Sequence, residues 1–218
     1  IENLILTVGS KIGLGSIADN DDVTAANCDP NSLYDNIVSG YHQSIAKKSD
    51  GSFSVWGNLM GSNGTANILS PQNINSTNYT GLSGSILKAA VAGAASSRQS
   101  QAIILTTDGL YAWGSAGNIL ATSLTSNLDA FAKIGTPTGA DANTKLPTGV
   151  TPGSIKMMVA FYQTLVLVTN SGSVWILTQT NGELRGIGTT TAATTTWNKV
   201  KIDANTELTN VISVRGMV

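Results

Sequence analysis

The sequence predicts an all-β fold: a run of antiparallel blades from a β-propeller whose ring is incomplete in this chain. Three observations carry that expectation. A strand–turn–strand pattern running into Trp-Gly recurs along the chain. Its turn glycines Gly51, Gly109 and Gly172 lie 58 (109 minus 51) and 63 (172 minus 109) residues apart. The stretches between are rich in Ser, Thr, Asn and Gly. A long internal period marks a unit that cannot bury its apolar face alone and stacks on its neighbours, as in solenoids and propellers.

Taken in order, residues 1–33 read as the end of a preceding unit, with Val8-Gly9 standing where later units have Trp-Gly, followed by Gly13-Leu14-Gly15. Residues 34–90 form the first whole blade. Ile37-Val-Ser-Gly40 opens it, His42-Gln-Ser44-Ile-Ala gives a second strand, and Asp50-Gly51 leads into a third that ends at Trp56-Gly57. Asp-Gly signals a hairpin because a type I′ turn needs positive φ, which glycine accepts freely.

Residues 91–150 form the next blade, opening at Val91-Ala-Gly93 and carrying an insertion around Ala94–Ser100. Its hairpin runs through Ala102–Leu105, Asp108-Gly109 and Trp113-Gly114, with 4 residues from turn Gly to Trp where the first blade has 5. Residues 151–209 form a worn third copy, with Gly172 at the turn, Leu177 where Trp is expected and Tyr162 near the place of the His. Residues 210–218, beginning Asn210-Val-Ile-Ser-Val, read as the opening strand of a further blade. Both ends then fall inside repeats, as in a piece cut from a longer protein.

The apolar runs Ala102–Leu105 and Leu165–Val168 suit strands covered on both faces. Trp56 and Trp113 suit the gap between adjacent blades, and Gly57 and Gly114 the close approach of a neighbouring backbone. The stretches Gly61–Thr80, Ser115–Thr151 and Thr189–Thr196 fit either outer strands with loops or mobile segments. Ser115–Thr151, punctuated by Pro137 and Pro147, is the first place to look for a contact surface.

The pattern Gly40, His42-x-Ser44-Ile-Ala, Asp50-Gly51 and Trp56-Gly57, with the tail Gly182-Glu-Leu-Arg-Gly186, resembles the RCC1 repeat, and the resemblance covers essentially the whole chain. It implies four-stranded antiparallel blades, seven in a complete ring, and a role as an interaction scaffold. Family members range from an exchange factor on a small GTPase to a secreted bacterial inhibitor of β-lactamases. The exchange role needs an acidic contact face that these residues do not present.

Little in the sequence points to chemistry. The one histidine, His42, belongs to the repeat, so neither a Ser-His-Asp arrangement nor a zinc site can be assembled. Cys28 stands alone, without a disulfide partner, and reads as a small hydrophobe. Asp19-Asn-Asp21-Asp22 has the residue types that calcium takes but not the spacing of an EF-hand loop, and reads as a solvated loop. Asn63, Asn75 and Asn78 head N-glycosylation sequons. No phosphate-binding glycine loop is present, and no cofactor or metal is expected. A net charge of −1 gives no field for nucleic acid, and no apolar run approaches the roughly 20 residues that span a bilayer.

The expected function is therefore non-enzymatic: an extracellular or cell-surface binding or adhesion module, bacterial in type, recognising a protein or glycan on another cell or surface through its loops, alongside the remaining blades of the same protein. Charged residues are only 11% of the chain, which favours life outside the cytosol. The alternatives are an enzyme inhibitor of the β-lactamase-binding kind and a structural spacer or cap in a filament. For an inhibitor, Tyr34, Tyr41, Tyr79 and Trp197 are the candidate aromatic anchors, provided they are exposed.

Overall fold

In the computed structural model, twelve strands among the described residues make three four-stranded sheets. The described residues are 37–40, 42–48, 50–60, 66–92, 101–114, 128–161, 164–178, 186 and 196–215. The first blade comprises β1 (Ile37–Ser39), β2 (Gln43–Lys47), β3 (Phe53–Met60) and β4 (Ala66–Asn73). The second comprises β5 (Ile86–Ala92), β6 (Gln101–Thr106), β7 (Gly109–Gly114) and β8 (Leu128–Lys133), and the third β9 (Ile155–Phe161), β10 (Thr164–Thr169), β11 (Val174–Thr178) and β12 (Asn198–Lys199). Each is an antiparallel meander in chain order. The chain is thus a partial propeller of RCC1-like blades.

The blades pack face on face. One apolar cluster joins Ile45, Phe53 and Val55 of the first blade to Val91, Ile104, Tyr111 and Trp113 of the second. Another joins Ile103, Leu105 and Leu110 to Met158, Leu165, Leu167 and Leu177 of the third. The first strands meet edgewise, β1 against β5 and β5 against β9, which sets them innermost and the fourth strands outermost. Every residue of β6 and of β10 is buried, as their unbroken apolar runs predict. Burying one Ile or Leu of this kind contributes about 1.5–3 kcal/mol.

Register explains the Trp-Gly pairs. Gly57 faces Gln43 and Gly114 faces Gln101, both glutamines buried at the head of the second strand. An added β-carbon on Gly57 would stand 2.0 Å from the His42 carbonyl oxygen, so the close approach is to the blade's own second strand. Leu177 occupies the Trp position, and the Gln–Gly pair there becomes Thr164–Thr178, joined by a 3.0 Å hydroxyl hydrogen bond.

Three expectations are corrected. β5 starts at Ile86, so a boundary at 90/91 would cut that strand, and the second blade begins earlier. Neither Asp-Gly pair makes a type I′ turn: Asp50 lacks the positive φ of Gly51 and sits in a five-residue loop, while Gly109 already pairs with Thr106 and neither Thr107 nor Asp108 has positive φ. The missing residue was taken from the loop: between the equivalent pairs Lys47–Phe53, Leu105–Leu110 and Val168–Val174 it runs over 106–109 here against 48–52 and 169–173 in the other blades. Residues 210–215 form no strand but lie along the third blade, with Val211 and Val214 on the cluster of Met157, Val166 and Ile176. Of the two readings open for the polar stretches, the strand reading fits Gly61–Thr80 and Ser115–Thr151, which hold the outer strands β4 and β8. Residues 1–33, Gly93, Ala94–Ser100 and Tyr162 lie outside the described residues.

Candidate binding face

Each blade is followed by a linker that contains a turn closed by an Asx side chain. Asp141 Oδ1 accepts hydrogen bonds from the amides of Asn143 (3.0 Å) and Thr144 (2.8 Å), and Asp203 Oδ1 from those of Asn205 and Thr206 (both 2.9 Å). Asn75 Oδ1 does the same for Asn78 (2.9 Å). Backbone and hydroxyl donors hold the Asp141 and Asp203 carboxyls below the usual carboxylate range. The identical tetrapeptides Asp141-Ala-Asn-Thr144 and Asp203-Ala-Asn-Thr206, 62 residues apart (203 minus 141), are the sequence signal for this device.

Two clefts form where a linker runs beside a hairpin turn. The first, about 510 Å³, lies between the first blade's turn (Gly51, Ser52, Phe53) and the linker residues Ile74–Ser76 and Leu82–Ile86. The second, about 450 Å³, lies between linker residues Thr148–Val150 and Ser154 and the third blade's turn (Thr169–Ser171, Ser173), with Trp175 of β11 and Lys199 of β12. Their polar lining is hydroxyl and amide groups. Lys199 is the one ionisable side chain among these lining residues, and its Nζ is paired with Glu207 Oε2 at 2.7 Å.

Ser83 connects the first cleft to the second blade. Its hydroxyl bonds the Asp108 carboxylate, which also accepts from Tyr111 (2.7 Å) and Lys133 (2.8 Å). These three donors, Lys133 foremost, hold the Asp108 carboxyl far below the ordinary range. A carboxylate so stabilised is a poor base, so this Ser-Asp-Tyr-Lys grouping ties linker to turn rather than preparing a nucleophile. Among the described residues no three His, Cys, Asp or Glu side chains are grouped to hold a metal ion.

Several of the repeat residues are placed by the structure as follows. Asp50 Oδ1 accepts from the Ser52 amide (2.8 Å) and hydroxyl (2.6 Å) inside the first turn. Gly40 abuts Val91 of the next blade, Trp56 is half-buried against the first inter-blade cluster, and Trp113 is buried within it. His42 is exposed, and its carbonyl accepts from the Asn58 amide at 2.9 Å.

The aromatic anchors fare differently. Tyr79 and Trp197 are 5% and 4% exposed, which corrects the expectation that they present a contact surface. Tyr79 packs at a tilt against Trp113 and edge-to-face against Phe131, at ring separations of 5.4 and 5.1 Å, and Trp197 donates its indole N–H to the Lys145 carbonyl at 2.9 Å. Tyr34 and Tyr41 lie outside the described residues, as do Asp19–Asp22 and Asn63. Asn75 and Asn78 are exposed. The half-buried Trp175, which no repeat pattern singles out, is the aromatic side chain that lines the second cleft.

No family model and no curated protein matches the chain. Solved structures are similar to it, and the likeness to the first of these is one of fold. Yeast RCC1 (Prp20), determined bound to Kap60, superposes with a TM-score of 0.50 at 15% identity, over 76% of this chain and 36% of that one. Human WBSCR16 superposes with a TM-score of 0.49 at 12% identity, over 75% of this chain and 36% of that one. The chain therefore spans about a third of the length of these propellers.

Proposed function

We propose that the chain is a non-enzymatic binding module of an extracellular or cell-surface protein, recognising an uncharged polar ligand, above all a glycan, through the clefts beside its hairpin turns. One observation carries this reading: the lining of both clefts converges hydroxyl and amide groups on an apolar floor, with a single ammonium group already neutralised by its carboxylate. Such a lining offers many hydrogen bonds and no net charge, which suits sugar hydroxyls better than phosphate or acidic peptide. The low charge of the whole chain points the same way.

Protein partners are the second possibility, since the yeast propeller of the same fold was solved with one. The inhibitor role loses support because Tyr79 and Trp197 are buried. The test is to probe the full chain against a glycan array and a panel of soluble and surface proteins. Saturable glycan binding supports the reading, one tight soluble enzyme supports the inhibitor instead, and a blank on both panels favours a spacer.

A further inference from the structure

The second cleft, unlike the first, has an indole in its lining. Trp175 is half-buried on β11, held from beneath by the second inter-blade cluster. Trp197 commits its N–H to the Lys145 carbonyl, whereas the Trp175 N–H has no acceptor among the described residues. Lys199 Nζ stands over the Trp175 ring, 5.3 Å from its centroid, while reaching Glu207. Around the indole, Thr148, Ser154, Asn170, Ser171 and Ser173 supply hydroxyl and amide groups, and the volume of about 450 Å³ falls in the range of small-molecule sites.

The loop that presents these groups is braced. Asn170 donates its amide N–H to the Ser154 carbonyl at 2.8 Å and its side-chain N–H to the Gly153 carbonyl at 3.3 Å, so turn and linker are fastened across the base of the cleft. Thr169 Oγ1 and Ser171 Oγ bond each other at 2.8 Å. A cleft held from both sides loses little entropy on taking a ligand.

We propose that this cleft binds one neutral pyranose ring of a glycan, its C–H face against the Trp175 indole and its hydroxyls on Asn170, Ser171, Ser173 and Thr148. The inference rests on the glycan reading above and deepens it by naming the subsite. A π-face that attracts an ammonium attracts polarised C–H groups by the same quadrupole, more weakly. The sugar displaces Lys199 from the ring, and its ammonium stays with the Glu207 carboxylate and makes no bond to the ligand. Phosphate finds only one ammonium, already paired, and an aliphatic ligand would strand the hydroxyl rim.

The experiment titrates the full chain with methyl pyranosides of glucose, galactose, mannose and N-acetylglucosamine, with inorganic phosphate and adenosine as comparators, following tryptophan fluorescence and calorimetric heat. A pyranoside is expected to saturate. Ser171→Trp, a bulky change at an exposed position, is expected to weaken it by about tenfold with the melting curve unchanged. Trp175→Ala is expected to abolish the fluorescence change, and Lys199→Ala to leave affinity unchanged or higher. Phosphate or adenosine binding in place of sugar, or sugar binding indifferent to both Ser171→Trp and Trp175→Ala, overturns the subsite. In the last case the glycan reading itself survives, with its site elsewhere, whereas no glycan bound on the array sinks both.

Discussion

Thr144 lays its carbonyl directly over Gly109: the Leu110 amide donates to Thr144 O at 3.0 Å, and an added β-carbon on Gly109 would stand 2.3 Å from that oxygen. Gly172 is crossed in the same way by Asn210, whose Cα would lie 2.7 Å from an added β-carbon. These crossings hold the linkers that follow the second and third blades against those blades' own hairpin turns. Gly109→Ala combines a positive φ of +124° with a backbone clash, and is expected to cost about 2–4 kcal/mol. Gly51, at φ +81° with open space around it, is expected to lose about 1 kcal/mol as Ala. Urea unfolding of the two variants measures the difference, and equal losses would show that the crossings do not matter.

Trp113 and Trp197 fill comparable places, and differ in one bond. Trp197 donates its N–H to Lys145, while the Trp113 N–H is buried with no acceptor among the described residues. Trp→Phe removes similar volume at both, but strands a carbonyl only at Trp197 and relieves an orphan donor at Trp113. The Trp197 variant is therefore expected to be the less stable by about 1–3 kcal/mol. Chemical denaturation of the pair decides.

Gly40 of the first blade sits so close to Val91 of the second that an added β-carbon would lie 2.6 Å from Val91 Cγ1. Gly40→Ala is expected to destabilise the blade contact, and Val91→Ala to be less harmful in that background than alone. A double-mutant cycle should return a coupling of about 0.5–3 kcal/mol. Additive losses would place the two residues apart.

Four carboxyls, Asp50, Asp108, Asp141 and Asp203, are held below their usual range by hydrogen bonds, and Asp108 by Lys133 as well. A folded-state value below the unfolded one contributes stability that is present above about pH 4 and drains away as pH falls through the folded value. Unfolding free energy is expected to be flat between about pH 5 and 7 in these groups' contribution and to decline below about pH 4. Asp108→Asn should flatten that decline. A steeper acid loss in the variant would remove Asp108 from the account.

The repeat was legible because its signals are local. Asp50-Gly51, Trp56-Gly57 and the apolar runs of β6 and β10 each state their own strand or turn, and their spacing gives the blade. What escaped the sequence depends on how segments cross. The Thr107-Asp108 loop differs from the Asp50-Gly51 loop only by a deletion whose location needs the register. Tyr79 and Trp197 look like exposed aromatics because they sit in polar stretches, yet the linkers that carry them fold inward onto Phe131 and Lys145. Trp175 was visible only as a strand residue, since its cleft is completed by Thr148–Ser154 from the linker before it.

The salt dependence of ligand binding tests the central claim, that an uncharged rim does the recognising, most directly. The best ligand from the array is titrated into the full chain at ionic strengths from about 50 mM to about 500 mM, a range over which charge attraction beyond the first few ångströms is screened out. The account predicts an affinity that stays level across the series. A steep fall with added salt would mean that ion pairs carry the binding, and would contradict it.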